Sequence, residues 1–145
     1  MRLTGGSFTM NARLPESEVD EVYRSYGRCC QHKDFFEDFY DTFMGKSAEV
    51  RAKFDNTDMS EQRRLLRSGL TWLIMYARGG SDFKLRQLGE THDRNGYDIR
   101  PEWYDLWVDA LLEAVWRHDP DMSAELEQQW REVLGPGVEM IRQVY

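Results

Sequence analysis

Few side chains in this sequence are of the kinds that do chemistry: three histidines, His32, His92 and His118, and two cysteines, Cys29 and Cys30. His92 has the most informative setting, inside FKLRQLGETHDRNGYDIRPEWY (Phe83–Tyr104). Leu85 and Leu88 are spaced for one face of a helix, and His92 follows Leu88 by one turn, so imidazole and leucine project from the same side. A neutral imidazole on an apolar face can bind a metal through one ring nitrogen while a hydrogen bond fixes the other. The pattern breaks at Asn95-Gly96 and resumes around Ile99-Arg100-Pro101-Glu102, with Trp103 and Tyr104 opening another helix. His32 reads as a surface residue before a helix. His118, beside Asp119 at a helix end, reads as a favourable charge at a helix C-terminus. The adjacent cysteines read as two reduced thiols at a helix end. Neighbouring residues bridge only with distorted geometry, and two thiols without further ligands make a poor metal site.

The elements that must position these groups are helices. Pro15, followed by Glu16 and Glu18, suits a first turn, and Val19, Val22, Tyr23 and Tyr26 form a stripe before Gly27 thins or ends it. A second helix runs from His32 through Phe36, Phe39, Tyr40 and Phe43 to Gly45. Ser47 caps a short segment to Phe54. Asp58 with Glu61 resembles a capping box, and it opens a long helix. That helix directs Gln62, Leu65, Leu66, Leu70, Leu73, Ile74 and Ala77 inward and stops before Gly79-Gly80. Pro101 takes the first position of the helix carrying Trp103, Tyr104, Trp107, Val108, Leu111, Leu112 and Val115. Asp119-Pro120 repeats that start. A last helix with Met122, Leu126, Trp130 and Val133 is disturbed at Gly135-Pro136-Gly137, where Pro136 should kink it. It resumes through Met140, Ile141 and Val144. The expectation is an all-α chain of seven helices: a flexible leader over residues 1–14, then one domain over 15–145.

Composition narrows the function. Aromatic residues reach 13% of the 145, and so many rings need a deep core or a flat body to pack against. The net charge of −7 with scattered Lys and Arg argues against nucleic acid or an anionic membrane as partner. No apolar run is long enough to span a bilayer, and Met1–Met10 lacks a signal-peptide core, so the expected compartment is the cytoplasm.

At this point the residues carry a family resemblance. FYDTFMGKSAEVRAKF (Phe39–Phe54) is similar to the globin signature running from the second helix to a phenylalanine, with Tyr40 as its large residue fourteen positions before Phe54. FDNTDMSEQRRLL resembles the turn into the distal helix, with Gln62 where globins put a histidine or glutamine. His92 matches the proximal histidine, and IRPEWY resembles the segment after it in the globin domain of flavohaemoglobins. The likeness covers about residues 16–145 and points to a bacterial single-domain globin.

The resemblance implies a globin fold packed around haem b (iron protoporphyrin IX), with His92 as axial ligand. Phe54 would lie against the ring, Leu66 would wall the ligand side, Leu88 would pack beneath, and Tyr104 would sit near His92. Tyr40 and Gln62 would offer an O–H and an N–H to bound dioxygen. Propionate partners are expected among Arg63, Arg64 and Arg86. Taken alone, Tyr40 and Phe54 equally fit ordinary core stripes, and Gln62 a helix surface. The flavohaemoglobin pattern adds a late glutamate that supports the proximal histidine; in register it falls at Tyr145, so this partner is expected to be missing. No flavin or nicotinamide domain follows, so turnover would draw on an external reductase. The implied function is reversible binding of dioxygen and other diatomic gases (NO, CO), with nitric-oxide dioxygenase activity as a further expectation. The alternative is a haem-based gas sensor acting through a partner protein. A monomer or a homodimer is expected.

Overall fold

The computed structural model describes residues 14–92 and 97–144, and every regular element among them is helical. Seven helices follow in order: α1 (Glu16–Cys30), α2 (Phe35–Gly45), α3 (Ala48–Lys53), α4 (Met59–Ala77), α5 (Phe83–His92), α6 (Trp103–His118) and α7 (Ala124–Val144). Of the expected leader, residues 1–13 lie outside the described residues. Leu14 is held in place, its N–H donating to the Ala77 carbonyl at 3.2 Å. Several boundaries follow from local chemistry. Ser47 caps α3 by accepting from Val50 N. Asp58 caps α4 through Ser60 N and Glu61 N, but Glu61 turns its carboxylate to Arg64 instead of completing a capping box. At the far end of α4, Gly79 takes φ 102°. Gly79 N and Gly80 N return to the Tyr76 and Met75 carbonyls, closing the helix with a left-handed glycine.

Other expectations need correction. Gly27 lies inside α1, which runs on to Cys30. α2 begins at Phe35 rather than His32. α6 begins at Trp103 with Pro101 in the turn before it. Asp119-Pro120 does not open α7, which starts at Ala124 after Ser123 Oγ accepts from Leu126 N. Leu65 and Tyr23 point outward, 46% and 50% exposed, because each falls one residue off its buried stripe. α7 passes unbroken through Pro136. Gly137 serves close approach instead: a Cβ on this buried residue would sit 2.4 Å from Leu73 Cδ2 and 3.2 Å from Leu85 Cδ1.

α7 is therefore the common wall, packing on α1, α4, α5 and α6, while α2 packs chiefly on α6. The core joins Val19, Val22, Phe35, Phe39, Leu70, Ile74, Leu111, Val115, Trp130 and Leu134. A polar knot ties its first and last helices. Ser25 donates to Asp119 Oδ2 at 2.6 Å and accepts from Trp130 Nε1 at 2.9 Å, and Arg28 grips the same carboxylate with two N–H groups. His118 is likewise no free helix-end charge. Its Nε2 lies 2.6 Å from Asp38 on α2, and its ring packs on Phe35 and His32. His32 is exposed.

Candidate functional site

α2 and α4 bring one pair of polar side chains together. Gln62 Nε2 donates to the Tyr40 hydroxyl at 3.2 Å, and that hydroxyl donates weakly, at 3.4 Å, to the main-chain carbonyl of Gln62. Both residues belong to helical stripes, so the pairing depends on where α2 crosses α4. Tyr40 is buried. Burial pushes its phenol up to about 12, against the pull of the Gln62 hydrogen bond and the nearby Arg63 charge, so it keeps its proton and can donate. Its ring meets Phe54 edge-on at 5.6 Å and Phe39 at 4.8 Å, and Trp107 closes the cluster against Phe39. Leu66, one turn along α4 from Gln62, is buried.

α5 carries the second group. His92 Nδ1 lies 3.0 Å from the Tyr104 hydroxyl at the start of α6. Desolvation by burial lowers the His92 pKa to about 4, so the ring is neutral at physiological pH. Its Nε2 has no hydrogen-bond partner among the described residues. A neutral imidazole with one nitrogen oriented and the other open is the arrangement of a metal ligand. Among the described residues no three His, Cys, Asp or Glu side chains are grouped to hold a metal, so a metal here would be held through one protein ligand and the rest of its coordination supplied by its own carrier. Phe54, Leu88 and His92 remain half-buried although apolar or neutral, unlike the closed core behind them. Such surface suits a flat apolar body, and the donor set therefore fits an iron porphyrin.

The candidate arginines separate. Arg64 pairs with Glu61, and Arg86 with Asp82 at 2.8 Å. Arg63 reaches only Ser60 Oγ and has no carboxylate partner among the described residues. Glu90, beside His92, is exposed, and Asp93 lies outside the described residues, as does Tyr145. Both thiols are free, and burial pushes Cys29 up to about 12. Sequence patterning passed over Lys53 and Arg142. Lys53 donates to the Tyr97 carbonyl at 3.0 Å and lies over Trp103, strapping α3 to the loop before α6. The charge of Arg142 on α7 acts on the Tyr104 hydroxyl. Neither contact has a sequence period to betray it.

No protein-family model and no curated protein sequence matches the chain. Among solved structures, it is similar to a Pseudomonas aeruginosa PAO1 protein described as structurally highly homologous to a human hemoglobin. The two share 54% identity with a TM-score of 0.86, over 88% of this chain and 98% of that one.

Proposed function

Because the chain belongs to the bacterial single-domain globins, we propose that it binds haem b through His92 Nε2 and takes up dioxygen reversibly. Two observations carry this reading: a neutral, Tyr104-oriented imidazole on α5, and a Tyr40–Gln62 donor pair on α2 and α4. When bound, haem supplies a ferrous iron able to take dioxygen, NO or CO. Tyr104 fixes the rotation of the His92 ring. The Tyr40 hydroxyl and the Gln62 amide would turn polar hydrogens toward a bound ligand, favouring polar dioxygen over nonpolar CO. Leu66 and the Phe39–Phe54–Trp107 cluster keep water out. Phe54 and Leu88 would contact the ring faces, and Arg63 is the arginine available to a propionate.

Nitric-oxide dioxygenase activity belongs to the same reading, with a separate reductase as the electron source. The test is the absorption spectrum of the purified protein together with haem stoichiometry. One haem per chain is expected, with a Soret band that shifts on adding dioxygen or CO to the reduced protein. His92→Ala should lower haem retention or change the spin state. A colourless wild-type protein that takes up no added haem would overturn the proposal.

A further inference from the structure

Behind the His92–Tyr104 pair stands an arginine with an unusual environment. Arg142, on α7, donates from Nη2 to Asp105 Oδ1 at 2.9 Å, and Asp105 follows Tyr104 on α6. Its Nε is buried without a hydrogen-bond partner. A buried orphan donor on a charged group is costly and calls for a reason. The bond to Asp105 sets the guanidinium beside the first turn of α6, the turn that carries Tyr104. α7 closes tightly on α5 one turn before His92, where a Cβ on Gly89 would lie 3.0 Å from Val144. The Arg142 cation also acts on the Tyr104 hydroxyl, opposing part of the rise that burial imposes.

Resting on the haem reading above, we propose that Arg142 is a positioning residue for the proximal side: its fixed positive charge behind Tyr104 keeps the His92–Tyr104 hydrogen bond a neutral one and biases iron toward the ferrous state. With Nε2 on iron, Nδ1–H donates to the Tyr104 oxygen. A carboxylate behind that bond would draw the proton and push electron density toward iron. A cation raises the potential there and holds the density back. It favours ferrous over ferric iron, which carries one more positive charge. Asp105 does not cancel it: its side chain is 75% exposed and screened by water, against 28% for Arg142.

Arg142 is also reachable from outside. It lines a groove of about 360 Å³ between α6 and α7, with Asp105, Val108, Leu134 and Val138 among the walls. The test compares haem-loaded wild type with Arg142→Lys, Arg142→Met and Asp105→Asn. The readouts are the Fe–His stretch of the ferrous form by resonance Raman and the ferric–ferrous midpoint potential. Arg142→Met should raise the stretching frequency and move the equilibrium toward ferric by roughly tenfold, the scale of one partly screened charge. Arg142→Lys should stay near wild type. Asp105→Asn, an exposed change that spares the fold, should move both readouts the opposite way. In Arg142→Ala, added methylguanidinium should enter the groove and restore the wild-type stretch. Loaded variants identical to wild type in both readouts would overturn this inference alone. A chain that takes no haem would overturn it together with the proposed function.

Discussion

At the scale of single residues, Tyr40 and His92 matter through protonation and hydrogen bonding. The 3.4 Å contact from Tyr40 to the Gln62 carbonyl is weak, so little is lost when the hydroxyl turns toward a ligand. A neutral hydrogen bond contributes on the order of 1 kcal/mol, and more to a partly charged acceptor. Tyr40→Phe should therefore speed dioxygen release by roughly tenfold while barely changing CO release. Flash photolysis measures both, and equal changes would mean that Tyr40 acts by packing. His92 makes a second prediction, for the apo-protein. Its folded pKa, lowered to about 4 by burial, lies below the unfolded value of about 6.5. The unfolded chain thus takes up a proton first as pH falls. Apo stability should be full above about 6.5 and decline toward pH 4, by on the order of 1–3 kcal/mol. Urea melts of wild type and His92→Phe across that window should differ in slope, and parallel curves would reject the assignment.

At the scale of elements, α7 decides how tightly the site is held. Gly137 lets α7 approach Leu73 of α4 and Leu85 of α5, and Leu73 is only 4% exposed, with little room to retreat. Gly137→Ala should gain up to about 1 kcal/mol of helix propensity but lose about 1–3 kcal/mol to overpacking. The expected net result is a lower melting temperature, read by circular dichroism. An unchanged or higher value would show that α4 and α5 yield easily. The same approach places Arg142 and Val144 beside the proximal elements, so loosening it should also weaken haem retention.

At the scale of the whole molecule, the Ser25–Arg28–Asp119–Trp130 knot joins α1 to the α6–α7 connection. Burial by itself would raise the Asp119 pKa, but hydrogen bonds from Arg28, Ser25 and the Asp121 amide outweigh it and hold the carboxyl below its ordinary range. A depressed carboxylate stabilises the fold above the unfolded pKa, and that stability is lost as pH falls through the folded value. Asp119→Ala should cost about 2–4 kcal/mol by leaving Arg28 and Ser25 without their acceptor. It should also flatten the acid limb of the stability profile below about pH 4. A variant as stable as wild type in urea would show that water replaces the carboxylate.

By themselves, residue types and spacing determined the helical class and the approximate placement of seven helices, while the candidate set Tyr40, Phe54, Gln62, Leu66, Leu88, His92 and Tyr104 came from the globin resemblance those residues carry. Amphipathic periods and caps such as Ser47 and Asp58 act over a few neighbouring residues, so they are written locally. Local rules misjudged Asp119, Pro136 and His118. Asp119-Pro120 has the form of a helix start, yet burial against Arg28, ninety-one positions away, claims the carboxylate. Pro136 looks like a break, but α7 stays helical through it, with Gly137 fitted against Leu73 of α4 and Leu85 of α5. His118 looks like a helix-end charge until Asp38 of α2 arrives. Only the tertiary structure decided which nitrogen of His92 is taken, that Gln62 meets Tyr40, and that Arg142 pairs with Asp105 beside Tyr104. Each is a contact between helices distant in the chain, and side-chain hydrogen bonds and charges across such crossings leave no period in the sequence.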